Sequence, residues 1–229
     1  MTYQEEFIYF MVRSGVLTFG DFTTKSGRKT PYFVNTGNYK TGAQASRLGD
    51  YYAACIQEHL PDGIDALFGP AYKGIPLAVS AASALYRNHG RDLPYCFNRK
   101  EAKDHGEAGI LLGSGMKDGD RVVIIEDVTT SGKSIEETYP IIMAQAKVEI
   151  RGLMVSLNRM EKGAAGDRSA LEEIRERYGF ETAAIVTMGE VVEHLYNRPY
   201  KGQIYIDDAT KAAIEAYYRT YGAGELALK

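Results

Sequence analysis

Residues 121–134 read RVVIIEDVTTSGKS, and this stretch decides the architecture. Val122, Val123, Ile124 and Ile125 are four consecutive β-formers, the run expected of a strand buried on both faces within a parallel sheet. Glu126 and Asp127 stand where that strand ends. Val128, Thr129, Thr130, Ser131, Gly132, Lys133 and Ser134 follow as a loop of mostly small, hydroxylated residues, with a helix expected from near Ile135. Backbone N–H groups at a helix N-terminus, joined by hydroxyls, form an anion cradle. The stretch therefore reads as a site for a phosphate beside a group that carries hydroxyls. The plainer reading is a strand-to-helix turn capped by Ser or Thr.

The letters GKS at residues 132–134 invite comparison with a P-loop, but that motif needs a glycine five residues ahead of its Gly-Lys. Here the position holds Asp127, whose carboxylate would repel a polyphosphate wrapped around the loop.

Bulk properties narrow the partners. A chain of 229 residues can bury a full core, and without a repeat, linker or low-complexity tract residues 1–229 are expected to form one domain. The net charge of −3 argues against a generally basic nucleic-acid surface, so no nucleic-acid partner is expected. Cys55 and Cys96 lie in apolar segments without metal-ligand spacing and read as buried free thiols of a reducing compartment. The N-terminal MTYQEEFIYF is acidic and lacks the pattern of a secretory signal. No run of about 18 apolar residues suggests a membrane span. The expected location is cytoplasmic.

Outward from the opening stretch the chain alternates strands and helices. Thr2 and Glu5 have capping-box spacing for a short first helix. Residues 17–24 and 30–36 read as a hairpin around Lys25-Ser26-Gly27-Arg28-Lys29. Helical spacing covers residues 41–60, and Pro61-Asp62-Gly63 stops it. A strand at 64–68 leads through Gly69-Pro70-Ala71-Tyr72-Lys73-Gly74 into an alanine-rich helix at 75–87. Residues 93–97 form a further strand, followed by the charged segment 98–109, expected to be a mobile excursion. A helix at 135–146 carries Pro140 as an expected kink. A strand at 149–157 runs into Asn158-Arg159, and a helix at 168–178, a strand at 182–186 and helices at 189–196 and 209–221 complete the chain. This order implies an open, mostly parallel α/β sheet flanked by helices, with ligands at the carboxyl ends of its strands.

Five blocks in order, KSGRKTPYFVNTG (25–37), GPAYKGIP (69–76), FNRKEAKDHGEAG (97–109), VVIIEDVTTSGKS (122–134) and SLNR (156–159), resemble the orotate phosphoribosyltransferases, a branch of the type I phosphoribosyltransferases. The fourth block is shared across that superfamily, whereas the first and third point to the orotate branch. The resemblance implies a type I fold with a small N-terminal hood. It also implies transfer of a 5-phosphoribosyl group from 5-phosphoribosyl 1-diphosphate (PRPP) to orotate, giving orotidine 5'-phosphate and diphosphate in pyrimidine biosynthesis.

The same resemblance implies residue roles. Glu126 and Asp127 would accept the ribose hydroxyls, and residues 128–134 would hold the 5'-phosphate. Tyr72 and Lys73 would bind the diphosphate, beside a strained peptide at Ala71-Tyr72, and Lys25 would contact PRPP from the hairpin turn. Arg99, Lys100, Lys103 and His105 would grip the departing diphosphate, where cations lower the barrier by meeting charge that develops on the leaving group. That segment would close as a water-excluding lid hinged near Gly106 and Gly109, with Lys103 reaching the neighbouring subunit's site in a homodimer. Phe33, Val34, Thr130 and Arg159 would contact orotate, the arginine by a bidentate pair. Magnesium would bind mainly through PRPP oxygens and water rather than through direct protein ligands.

Three features depart from the pattern: Val34 where a second aromatic is common, Lys133 in the phosphate loop, and Pro140. Two other functions fit parts of the same sequence. One is a transferase for a different base, distinguished at Phe33, Val34 and Arg159. The other is a non-catalytic PRPP sensor, which could dispense with the cationic segment.

Overall fold

The computed structural model describes residues 1–24, 27–100 and 111–223. The chain runs α1 (Tyr3–Arg13), β1 (Leu17–Thr23), β2 (Lys29–Val34), a 3-10 turn (Thr36–Asn38), α2 (Gly42–His59), β3 (Ala66–Phe68), α3 (Gly74–His89), β4 (Tyr95–Asn98) and β5 (Leu111–Gly113). It continues through β6 (Arg121–Ile125), α4 (Lys133–Met143), β7 (Glu149–Asn158), α5 (Ala170–Tyr178), β8 (Glu181–Thr187), α6 (Met188–Leu195), β9 (Pro199–Tyr200), β10 (Gln203–Ile204) and α7 (Asp208–Tyr221). Side chains fix several helix starts: Thr2 with Glu5, Thr41 with Gln44, Ser169 with Glu172 and Thr187 with Glu190 form capping boxes. Each satisfies N–H groups that the first turn leaves without partners.

The central sheet has the order β5-β4-β3-β6-β7-β8, parallel except for β5. The expected strand at 122–125 is its middle, and its four apolar side chains have no exposed surface. Val123 and Ile125 enter a core built with α1, α2, α3, α6 and α7, while Val122 and Ile124 enter a second core with Ile135 and Ile142 of α4 and Leu171 and Ile174 of α5. Alternation across the pleat thus joins both layers through one strand. Burying each such side chain contributes about 1.5–3 kcal/mol.

From β3 the chain first adds β4 on one side, then returns to place β6 on the other. That reversal opens a crevice beyond the carboxyl ends of β3 and β6, where open α/β sheets bind ligands. The loops at 69–73 and 126–132 flank it. The β1–β2 hairpin is a separate two-stranded sheet, and Tyr217 and Tyr218 of α7 pack their rings near Tyr32 of β2.

Two differences from the sequence expectations stand out. Residues 111–113 form an edge strand antiparallel to β4, too short to give a periodic signal. Helix α4 ends at Met143 rather than 146. Pro140 sits inside that helix, and both it and Glu136 are exposed, so water can serve the carbonyl that proline leaves unpaired. Among the described residues no helix is long and apolar enough to cross a membrane.

Candidate active site

The end of β6 is pinned before any side chain acts. The Glu126 N–H donates to the Met154 carbonyl at 3.0 Å, and the Ser156 N–H and hydroxyl both donate to the Asp127 carbonyl, at 2.8 and 2.6 Å. The Tyr52 hydroxyl of α2 donates to the Glu126 carbonyl at 2.6 Å. Both acidic side chains are buried on this fixed backbone. Glu126 accepts from the Ser134 hydroxyl and, at 3.3 Å, from the Asp127 N–H. Burial raises its carboxyl above the ordinary range, the Ser134 hydrogen bond opposes that, and the Asp127 charge adds to it.

Asp127 draws in groups from two other elements. Its Oδ2 accepts from Lys73 Nζ and from the Thr36 hydroxyl, each at 2.7 Å, and Lys73 Nζ also lies 3.3 Å from the Thr36 hydroxyl. Lys73 is 66% exposed, so this ion pair has one solvated partner.

Lys73 reaches Asp127 because the loop after β3 packs backbone to backbone. A Cβ on Gly69 would stand 2.3 Å from the Gly74 carbonyl oxygen, and one on Gly74 would stand 2.8 Å from that of Ile125. Only glycine permits this approach. The peptide between Ala71 and Tyr72 is cis, at the position marked in the sequence. Buried Asn98, at the end of β4, accepts from the Ala71 N–H at 3.0 Å. Exposed Tyr72 has the Lys100 ammonium 5.3 Å from its ring centroid. Beside it, Nε and Nη1 of Arg99 are buried with no hydrogen-bond partner among the described residues. Tyr72, Lys73 and Lys100 thus gather on one rim, with ammonium donors suited to an anion.

The loop after β6 runs directly into α4. Gly132 adopts φ +72° and begins α4 without a side-chain cap, so first-turn N–H groups are left for a ligand. Its own N–H is held by the Thr129 hydroxyl at 3.2 Å. Thr130 and Ser131 are exposed, Val128 packs against the larger core, and Lys133 is 76% exposed with Glu137 at 3.8 Å.

On the hairpin side, Phe33 is exposed and faces Phe22 with ring centroids 5.7 Å apart, whereas Val34 packs against the core. Both lie just before Thr36, whose bond to Asp127 ties the hairpin's end to β6. Arg159, one residue past β7, is largely buried and donates to Glu161 Oε1 through Nε at 3.1 Å and Nη2 at 2.7 Å. Burial works against its charge, but Tyr32 and Glu161 more than offset this and hold its pKa above the ordinary value. Lys25, Lys103, His105 and the hinge glycines Gly106 and Gly109 lie outside the described residues, as do residues 101–109 of the expected excursion, whose first residue Asn98 is instead buried as the last residue of β4.

Sequence reasoning missed Thr36, Asn98, Ser156 and Glu161. Thr36 sits in an ordinary turn-like Asn-Thr-Gly, and Glu161 is one acid in a charged loop, so neither carries a spacing signal.

A family model for the phosphoribosyl transferase domain matches residues 35–184. An orotate phosphoribosyltransferase of Lachnoclostridium phytofermentans is 62% identical over 220 residues, covering 96% of this chain and 97% of its own. One from Clostridium botulinum is 61% identical over 221 residues, covering 96% and 98%. The crystal structure of orotate phosphoribosyltransferase from Francisella tularensis matches with a TM-score of 0.81 at 35% identity, covering 95% of this chain and 99% of that one.

Proposed function

The chain belongs to the orotate phosphoribosyltransferases, and from that membership we propose how its own residues carry the reaction. The transfer forms a bond from a ring nitrogen of orotate to C1 of the ribose, breaks the C1–oxygen bond to diphosphate, and releases the nitrogen's proton to the departing diphosphate or to water. The observation that carries the assignment is the convergence of Lys73, Thr36 and Asp127 at the crevice between β3 and β6. In this reading Glu126 and Asp127 accept the ribose hydroxyls, and residues 128–134 hold the 5'-phosphate on the open N-terminus of α4. Lys25, Tyr72, Lys73, Arg99, Lys100, Lys103 and His105 hold the diphosphate, whose developing charge such cations meet. Phe33, Val34, Thr130 and Arg159 receive orotate.

Magnesium fits the site as a companion of the substrate. Glu126 and Asp127 offer hard oxygen donors, but among the described residues no three carboxylate, histidine or thiol groups converge. Such a set suits an ion that keeps its waters and the substrate's oxygens. Bound there, it would neutralise diphosphate charge.

The functional unit is taken as one domain over residues 1–229, with the hairpin as its hood, working as a homodimer whose residues near Lys103 serve the partner's site. A reducing cytoplasm suits Cys55 and Cys96, whose burial pushes both thiols up to about 12 and keeps them protonated.

The test follows orotate absorbance with PRPP and magnesium, with uracil and adenine as parallel acceptors. Loss of orotate that needs both PRPP and magnesium is the expected result; turnover of another base, or PRPP binding without any turnover, would overturn it. Lys103→Ala should lower kcat by at least about tenfold, as one lost charge contact to a transition state does. Mixing that variant with an Asp127→Asn subunit should restore activity through hybrid dimers, and heterodimers without rescue would confine the site to one subunit.

A further inference from the structure

We propose that Glu161 is the positioning residue that fixes Arg159 for the carboxylate of the base, an assignment that rests on Arg159 being a base contact. Glu161 stands three residues beyond the end of β7, and its side chain is 2% exposed. Met160, between them, adopts φ +53°, with its N–H held by the Asn158 side chain at 2.9 Å. This turn brings the two side chains together. Glu161 Oε1 accepts from Nε and Nη2 of Arg159 and, at 2.5 Å, from the Tyr32 hydroxyl, while Oε2 accepts from Arg28 Nη2 at 2.9 Å.

The carboxylate is itself held from outside. The Lys162 N–H donates to the Tyr221 carbonyl and the Ala223 N–H to the Met160 carbonyl, both at 2.9 Å, and the Tyr218 hydroxyl donates to the Arg159 carbonyl. The end of α7 thus clasps the backbone on which Arg159 and Glu161 sit. The Tyr32 ring lies 5.4 Å from the guanidinium carbon of Arg159.

Two consequences follow for a ligand. An arginine tied through its Nε–Nη2 edge keeps one orientation and presents its Nη1 side, so the ligand need not order a long side chain. In addition, two guanidiniums share one carboxylate, which leaves one positive charge in a largely buried cluster. A base bearing a carboxylate can neutralise it; a base without one cannot. Arg28 also belongs to the hairpin turn, with its N–H on the Thr24 hydroxyl at 3.1 Å, so Glu161 links that turn to Arg159.

The experiment compares Glu161→Gln, Arg159→Met and the double variant by steady-state kinetics and thermal unfolding. Glu161→Gln should raise the KM for orotate about tenfold, the scale of one misplaced charge-assisted contact. The KM for PRPP and kcat at saturating orotate should stay within about threefold, as should inhibition by uracil, which lacks the carboxylate. In the Arg159→Met background, Glu161→Gln should cost orotate nothing more. Additive losses, or equal losses for orotate and PRPP, would overturn the positioning role. An unchanged orotate KM in Arg159→Met would instead sink the reading of Arg159 on which it rests. If Glu161→Gln does not fold, Glu161→Asp keeps the charge at shorter reach and should give the same orotate-selective rise, whose absence overturns the proposal.

Discussion

The neighbouring strands β6 and β7 both lead into buried carboxylates, but the two ends are built differently. Past β7, Glu161 meets two guanidiniums and a tyrosine hydroxyl of the protein itself. At β6, Glu126 and Asp127 meet hydroxyls, one backbone N–H and a single lysine whose side chain is mostly in water. A buried charge is costly unless paired and hydrogen-bonded. Glu161 satisfies that requirement within the protein, so its end of the sheet is scaffold that aims a side chain. Glu126 and Asp127 meet it with hydroxyls, one N–H and a solvated lysine, partners that the hydroxyls of the proposed ribose ligand can replace.

The sharpest break between the two ends should come at Asp127. Asp127→Asn keeps the shape but removes the charge that attracts Lys73 and, in the proposed reading, accepts ribose hydroxyls. Hydrogen bonds to a charged group are worth about 1.5–3 kcal/mol, so kcat/KM for PRPP should fall roughly 10–100-fold. Lys73, already solvated, needs no replacement partner, and the melting temperature should stay nearly constant. An Asp127→Asn protein that loses stability but not kcat/KM would make the β6 end scaffold too.

The opposite signature is expected at the β7 end. Tyr218→Phe removes a hydroxyl that bonds the Arg159 carbonyl and lies 3.1 Å from the Tyr32 hydroxyl. Leaving a buried carbonyl without its donor costs about 1–3 kcal/mol. Chemical denaturation should register that loss with kcat changed less than about threefold, because nothing that touches PRPP has moved. A large loss of kcat with full stability would erase the distinction between the two ends.

This difference also explains what the sequence made legible. The β6 end could be read because its signals are contiguous: four apolar residues, two acids and a hydroxyl-rich loop occupy one window. The loop at 69–74 could be placed because its glycines and lysine follow an apolar strand. The β7 cluster could not be read this way. Glu161 finds Tyr32 at a separation of 129 residues and Arg28 at 133, and α7 closes over them from the far end of the chain. Tyr32 itself looks like any aromatic in an alternating strand. Arg159 was found through the Leu-Asn-Arg context, whereas the acid that holds it had no local pattern. The edge strand β5 was missed for the opposite reason, since three residues are too few to show a period.

Glu126 supplies a subtler contrast, because its carboxyl is held above the ordinary value of 4.5, chiefly by burial. A raised acid means that the folded state binds its proton more tightly than the unfolded state does. Stability from this group is therefore full below the ordinary value and declines as pH climbs through the raised one. Glu126→Gln removes the decline. Relative to the parent, the variant should gain stability as pH rises past 4.5, within the ~0.5–2 kcal/mol typical when a functional compromise is relieved, while PRPP turnover drops. Thermal unfolding across that range checks the sign. A variant that weakens relative to the parent as pH rises would make Glu126 a carboxylate the fold needs charged.

The smallest effect is expected at the side chain of Lys133, the first residue of α4. Its ammonium is 3.8 Å from Glu137, and both side chains are mostly exposed. This lysine precedes its acid by four positions, the weaker order for such a helical pair, and it places a cation at the positive end of α4. The backbone N–H groups that begin at Gly132 can hold a phosphate without it. Lys133→Gln should accordingly leave the KM for PRPP within about twofold at physiological ionic strength, since exposed charges there are largely screened. Repeating the measurement at low salt turns the same variant into a probe of distance: a penalty that appears only there marks Lys133 as a remote attractor, whereas a tenfold penalty at both salts would mean that its side chain folds back onto the phosphate.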